Sequence, residues 1–444
     1  MSHSNARKND ADFSHVTPVS AVRPVETVFP NGLRLLVIPL PQSPTVTASV
    51  LVSAGSKYEK NTENGLSHFL EHMCFKGTTK RPAAFHISRE LDRIGAQYNA
   101  FTSQEYTGYY AKASVDHTEK ILDVVADIYL HSLFAAEEIN KEKGVIIEEM
   151  HMYRDMPNRH VQDMFLELVY GNQPAGWNIA GTEETVSSFT HDDFVRYHKE
   201  KYVSGATTVV VSGHVDPEEI KVRISALFAP LASAPQATKV PVIEAQNSPQ
   251  VSFLHRVIDQ THLVVGVRAF DLYDPRFPAL RVLAALLGGG MSSRLFEKLR
   301  NELGICYYVY ASPDTYTDHG LVTICAGVDV KRAPAALTAI MQELRDVRDV
   351  PISEDELSRV KENLIGSLYV SLETSDDMAD FYGSQALYKK PLKTPEQVAQ
   401  EIAAVSAKDV GAVAKAIIAD AGLNLALIGP YKDASSFQAV LSVQ

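Results

Sequence analysis

The chain has 444 residues, of which 45% are hydrophobic and 22% charged, a globular composition on a chain long enough to bury cores without disulfide staples. Its 42 Lys and Arg face 54 Asp and Glu, a net charge of −12, which argues against a general nucleic-acid binder because such proteins need a basic footprint. Cys74, Cys306 and Cys325 are odd in number, far apart and not in a C-x-x-C pair. They read as free, buried thiols in a reducing compartment. No 18-residue apolar run exists to cross a membrane. The polar stretch 1–24 lacks the apolar core of a secretory signal, so a disordered tail ahead of a cytoplasmic protein is expected.

In chain order, Glu26 to Leu40 predicts two short strands around the turn Pro30-Asn31-Gly32, and TVTASVLVSAGS a third. Asn64 to Phe75 reads as a helix closing near Gly77, and Phe85 to Ile94 as another ending at Gly95. Gln97 to Ala113, rich in Tyr and Thr, reads as a strand pair. Helices follow over Thr118–Ser132 and Ala135–Tyr153. The loose Ala/Ser/Pro/Gln mixture over 230–250 reads as a linker.

The blocks on either side of that linker carry matching landmarks. Thr190 with Asp193 three residues on, then a helix, then a strand ending at Gly213, is repeated as Ser406 with Asp409, a helix and a strand ending at Gly429. Every landmark recurs 216 positions later. A length prior of ~150 residues per domain suggests three domains, but one shared offset favours a duplication. The expected fold is α+β: two homologous lobes, each a mainly antiparallel sheet with helices packed on one side, enclosing a cleft. The lobes would occupy 25–229 and 251–444, with 230–250 between them.

The chemistry concentrates in Gly65-Leu-Ser-His68-Phe-Leu-Glu71-His72-Met-Cys-Phe-Lys-Gly77. On a helix His68 and His72 are i and i+4, so both imidazoles share a face that suits Zn²⁺. Glu71 lies on the same side, within reach of a water at the metal. Zinc needs a third protein ligand, and the acid-dense segment 141–150 offers one. Glu142 and Glu149 are i and i+7, on one face, while Glu148 lies about 100° away. Spacing alone leaves Glu148, Glu149, Glu63 and Glu105 open as the third ligand.

From Val28 to Gly429 the chain resembles the pitrilysin/insulysin superfamily of zinc peptidases, which includes mitochondrial processing peptidase. It looks most like the short bacterial members. The resemblance implies zinc on His68, His72 and Glu149, one ion per chain, with Glu71 as general base and Glu142 as the carboxylate supporting the site. Ile94-Gly-Ala-Gln-Tyr-Asn99-Ala100 resembles the family's edge strand, where substrate adds as a β-strand; this implies a substrate-binding role for Asn99 and Ala100. Gly288-Gly-Gly290 ahead of a helix lacks the rest of a nucleotide-binding P-loop. Arg300 and Tyr307 fit an Arg and a Tyr that complete the family's site from across the cleft, the Arg holding substrate and the Tyr steadying an oxyanion. Leu303 and Cys306 depart from residues common in the family, and Asn172-Gln-Pro-Ala-Gly176-Trp177 lacks a His often found before the Pro; these departures bear on substrate preference.

No H-x-x-E-H occurs after residue 250. The 216 offset carries His68, Glu71 and His72 onto Ala284, Leu287 and Gly288, so the second lobe is read as a substrate wall. The implied activity is a zinc metalloendopeptidase that cleaves unfolded peptides bound as an extended strand in a chamber, with no nucleic-acid or membrane partner. Both motifs lie in one chain, so a homodimer is expected ahead of a heterodimer with a related chain. The alternative is a non-catalytic assembly or core subunit of the same superfamily.

Overall fold

The computed structural model describes residues 22–444. Most of the tail expected over 1–24 lies outside the described residues; Val22 itself is buried, its carbonyl accepting from the Tyr382 hydroxyl at 3.0 Å. The first half holds β1 (Val25–Val28), β2 (Arg34–Pro39), β3 (Thr45–Val52), α1 (Leu66–Met73), α2 (Ala84–Asp92), β4 (Gln97–Thr102), β5 (Thr107–Ser114), α3 (Thr118–Leu130), α4 (Ala136–Asp155), α5 (Pro157–Tyr170), α6 (Glu183–Ser188), α7 (His191–Lys201), β6 (Thr207–Gly213) and α8 (Pro217–Leu227). The second holds β7 (Gln250–His255), β8 (Gln260–Ala269), α9 (Phe277–Gly288), α10 (Arg294–Phe296), β9 (Cys306–Thr315), β10 (Gly320–Asp329), α11 (Ala333–Asp349), α12 (Glu354–Val370), α13 (Ser375–Leu387), α14 (Pro395–Ala404), α15 (Ala407–Ile417), β11 (Leu423–Gly429) and α16 (Ser435–Gln438).

Two sheets result, ordered β1-β2-β6-β3-β5-β4 and β7-β11-β8-β10-β9. The pairs β2–β6 and β7–β11 are parallel and all others antiparallel, so the second sheet repeats the first without β1. The repeat is exact in its closing unit: α15 and β11 begin 216 positions after α7 and β6. Thr190/Asp193 and Ser406/Asp409 form the same reciprocal cap at the two helix starts, each satisfying orphan N–H groups of the first turn.

The central strands β2, β6 and β11 are buried along most or all of their length and read as nearly unbroken apolar runs because both faces are covered. In β2, Leu35 and Val37 face a core built with α1, α3 and α7 of the same half. Leu36 and Ile38, together with Leu51 and Val210, face Met378, Ala379 and Tyr382 of α13, a helix from the other half. The exchange is reciprocal. On the second sheet, Leu263, Val265 and Leu425 pack on their own helices, while Val264, Leu321 and Ile428 receive Val161, Phe165 and Val169 of α5. Helices of each half therefore lie on one face of its own sheet, and a single helix of the other half closes the opposite face. At ~1.5–3 kcal/mol for each fully buried large apolar side chain, these two helices bind the halves together.

Ion pairs reinforce the seam. Lys57, with a fully buried side chain, lies 3.0 Å from Glu105 and 2.6 Å from Asp318. Lys239, from the irregular stretch between α8 and β7, reaches Asp318 at 2.7 Å and Glu105 at 3.3 Å. The three cysteines are free and buried. Among the described residues no helix is long and apolar enough to cross a membrane.

Candidate metal centre

The helix carrying the two histidines is placed by its first turn. Gly65, at its N-cap, has φ +96°, and a Cβ there would stand 2.5 Å from the Ala180 carbonyl oxygen, so both backbone conformation and space demand glycine. The cap itself comes from farther back. The buried Glu59 carboxylate accepts from Gly65 N at 2.9 Å, Ser67 N at 2.7 Å and Asn64 Nδ2 at 3.3 Å, filling the role a short polar N-cap side chain usually takes. Burial pushes this carboxyl up to about 7, against the pull of those hydrogen bonds. Leu66, Phe69, Leu70 and Met73 of α1 are buried in the core. The 3.6-residue period then turns His68, Glu71 and His72 out of that core.

The helix α4 brings the third group. Its buried stripe is Ile139, Glu142, Ile146 and Met150, and Glu149 stands at the edge of that stripe. Glu149 Oε2 is 3.8 Å from His68 Nε2 and 3.5 Å from His72 Nε2. One donor atom from each of the three residues lies within 4.8 Å of the others. Glu142 Oε1 meets His72 Nδ1 at 2.9 Å, and Lys76 Nζ reaches the other Glu142 oxygen at 2.5 Å. A neutral His72 that donates from Nδ1 to Glu142 presents the lone pair of Nε2 towards the Glu149 carboxylate. In that form two acceptors face each other at 3.5 Å, a gap that a metal ion, or a proton on Nε2, fills. The two Glu149 separations approach the ~3.3 Å edge of a tetrahedron of ~2.0 Å bonds, and a His₂Glu donor set suits Zn²⁺. The residues thus fit the ion.

The electrostatics of His68 agree with a ligand role, while the acids around His72 favour positive charge at the same place. Burial, with His72 beside it, drops the His68 imidazole to about 3, so it is neutral near pH 7. For His72 burial works in the same direction, but the hydrogen bond to Glu142 and the charges of Glu71 and Glu149 outweigh it and raise the ring above its ordinary value. Burial raises the Glu71 carboxyl, opposed by the Thr102 hydroxyl, which donates to Glu71 Oε2 at 2.6 Å. A carboxylate of raised pKa is the better proton acceptor.

The other acids first in contention lie elsewhere. Glu148 is exposed and faces His151 at 3.8 Å, Glu63 pairs with Arg196 at 2.8 Å, and Glu105 belongs to the Lys57 cluster. Asn99 and Ala100 sit on β4, the free edge of the first sheet, where the Ala100 N–H is occupied by its neighbour's side chain, Asn99 Oδ1, at 2.9 Å. Arg300 and Tyr307 lie on the second half, and among the described residues neither makes a hydrogen bond or ion pair to His68, Glu71, His72 or Glu149. Arg300 Nη1 donates to the Cys306 carbonyl at 2.6 Å. Tyr307 is 56% exposed on the edge strand β9, where the register passes from Cys306 to Tyr308 and leaves it as the extra residue of a bulge; such bulges re-aim a side chain.

Sequence reasoning missed Glu59, Thr102, Lys76 and Tyr153. Lys76 is i+4 from His72, and Tyr153 is i+4 from Glu149, whose charge, after burial, raises the phenol above its ordinary value. For these two the helical spacing was the available signal. Glu59 and Thr102 reach the helix through loops and sheet pairing, which no local pattern reports.

The chain as a whole is similar to known proteins in sequence and in fold. The family model described as Insulinase (Peptidase family M16) matches residues 34–183, and the model described as Peptidase M16 inactive domain matches 188–364. The chain is 35% identical over 400 residues to a Bacillus subtilis protein named uncharacterized zinc protease YmxG, covering 90% of this chain and 97% of that one. It is 33% identical over 405 residues to an uncharacterized zinc protease of Rickettsia felis, covering 90% and 96%. Among solved structures, a Helicobacter pylori protease superposes with a TM-score of 0.85 at 21% identity, covering 92% of this chain and 100% of that chain. A Pseudomonas fluorescens protein titled peptidase M16 inactive domain gives 0.86 at 18%, covering 92% and 98%. These two likenesses concern the fold.

Proposed function

This chain belongs to the M16, or insulinase, family of peptidases, and on that premise we propose that it is a zinc endopeptidase acting on unfolded peptides held as an extended strand. The observation that carries the reading is the convergence of His68 Nε2, His72 Nε2 and Glu149 Oε2 beside the Glu71 carboxylate. His68, His72 and Glu149 would hold one zinc ion per chain, with Glu142 orienting His72. When bound, zinc acts as a Lewis acid towards water and the scissile carbonyl. Glu71 takes the proton of the attacking water and delivers it to the leaving amine, and Thr102 keeps its carboxylate aimed during both transfers. The peptide aligns along β4, where its backbone carbonyl replaces Asn99 Oδ1 on the Ala100 N–H. Arg300 and Tyr307 complete the site from across the cleft, Arg300 on a substrate carbonyl or carboxylate and Tyr307 on the developing oxyanion. A homodimer in the cytoplasm remains part of this reading.

The test combines metal analysis of the purified protein with cleavage of a quenched fluorescent peptide. Wild type binds zinc and cleaves; chelation stops cleavage and zinc restores it. Glu71→Gln keeps the zinc and loses cleavage. Cleavage that survives chelation overturns the metal mechanism. Full activity of Glu71→Gln overturns the general-base assignment. Zinc without cleavage of any peptide in a varied library favours the non-catalytic alternative.

A further inference from the structure

A second cavity lies away from the metal centre, between α9, α13 and α14. Its volume is about 620 Å³, within the ~300–1,000 Å³ range of small-molecule sites. Leu272, Phe277, Leu368, Phe381, Val398 and Ile402 wall it. Arg281 and Lys390 line it too, and among the described residues neither makes an ion pair. The two acids at its rim are already engaged: Asp274 by Arg276 at 2.6 Å, and Glu401 by Lys393 at 2.5 Å. Among the described residues Lys390 Nζ donates only to the Leu272 carbonyl, at 2.5 Å, and it lies 5.6 and 5.2 Å from the ring centres of Tyr273 and Phe277.

Cations in apolar surroundings without a direct ion-pair partner are costly. Burial pulls the Arg281 guanidinium below its ordinary value, and burial with Lys393 nearby lowers Lys390 to about 8, in both cases against the pull of Glu401, which Asp271 joins at Lys390. An anion would relieve both. The apolar walls disfavour a wholly ionic ligand such as free phosphate, and a planar guanidinium fork matches a carboxylate. We propose that this cavity binds a small amphipathic carboxylate, its hydrocarbon body between the helices and its headgroup on Arg281 and Lys390. The site lies beside the seam, lined wholly by the second half: α13 packs on the first sheet, whereas Leu280 and Leu283 of α9 and Ile402 of α14 belong to the core of the second half. A bound ligand therefore contacts the helix that closes the first sheet together with the core of the second half, independently of any peptidase activity.

The experiment is calorimetric titration of the full-length protein with dodecanoate below its micelle concentration, beside dodecanol and dodecyltrimethylammonium. Saturable one-to-one binding of dodecanoate is expected, with both comparison amphiphiles at least tenfold weaker. Arg281→Gln weakens dodecanoate at least tenfold, and Ser384→Trp, which fills the cavity from α13, abolishes binding; circular dichroism verifies that both variants fold. The proposal is overturned if dodecanol binds as tightly as dodecanoate, if Arg281→Gln binds unchanged, or if no saturable binding occurs. It is also overturned if sedimentation shows a second copy of the chain closing the cavity, as a dimer that Arg281→Gln dissociates and dodecanoate leaves intact.

Discussion

Glu142 touches no metal in the proposed site, yet its removal is expected to weaken zinc binding. Its carboxylate holds His72 Nδ1 at 2.9 Å, which fixes both the ring orientation and the tautomer that leaves Nε2 free. A hydrogen bond involving a charged group contributes ~1.5–3 kcal/mol. At 1.4 kcal/mol per tenfold this is roughly a 10–100-fold change in affinity, the range seen when partners of metal-bound histidines are removed. Glu142→Ala should therefore lose zinc affinity by about that factor. Glu142→Gln, which keeps an oxygen near Nδ1 but not the charge, should fall between the variant and wild type. Lys76, freed from its 2.5 Å contact, is partly exposed and turns to solvent. The assay is competition with a chromophoric chelator near neutral pH, paired with turnover per bound zinc, which should change less than affinity. A zinc affinity for Glu142→Ala within about twofold of wild type refutes the positioning argument.

Glu59→Gln reports the cost of burying a charge at the start of α1. The carboxyl is raised from 4.5 to about 7 in the fold, so between those values the unfolded chain has released a proton that the native state retains. Stability then falls as pH rises through this window. Urea unfolding should show wild type losing about 2–3 kcal/mol relative to Glu59→Gln from pH 5 to pH 8; parallel profiles refute the assignment. Glu105→Ala leaves Lys57 buried beside fewer partners and should cost about 3–5 kcal/mol, measured by the same unfolding. If substrate adds to β4 by backbone hydrogen bonding, methylating alternate backbone nitrogens of a cleaved peptide raises KM for one register of methylation and not the other; equal effects in both registers contradict strand addition.

The motif on α1 was legible because its logic is local: i and i+4 on one helix face need nothing beyond the helix. The choice between Glu148 and Glu149 was not made by spacing, but α4 carries a readable clue. Ile139, Glu142, Ile146 and Met150 form its buried stripe; Glu149 borders the stripe, and Glu148 points to the far side with 81% of its side chain exposed. The duplication was legible because cap, helix and strand recur as a block. The exchange of α5 and α13 was not. The unbroken apolar runs of β2 and β6 signal that both faces are covered, but which helix covers the second face depends on contacts across more than a hundred residues. The cap from Glu59 is hidden for a related reason: its sequence lacks the short polar N-cap that usually marks a helix start.

The second half inherits the fold but not the space for a metal. In the first half, α1 faces β4 across a gap that admits Glu71, His72 and the Thr102 hydroxyl. In the second, α9 lies directly on β9. A Cβ on Gly288 would stand 2.3 Å from Ala311 N, and Ala284 and Leu287 are 1% and 0% exposed. Those three positions are where the 216 offset carries the zinc motif. Writing the motif back, as Ala284→His, Leu287→Glu and Gly288→His, therefore forces side chains into the backbone of β9 and buries polar groups without partners. Overpacking costs ~1–3 kcal/mol per site and each unsatisfied buried group ~1–3 more, enough to unfold a domain of ordinary stability. The triple variant should melt far below wild type and bind no additional zinc. A folded protein with a second equivalent of zinc would show instead that the second half lost only its ligands and kept the cavity around them.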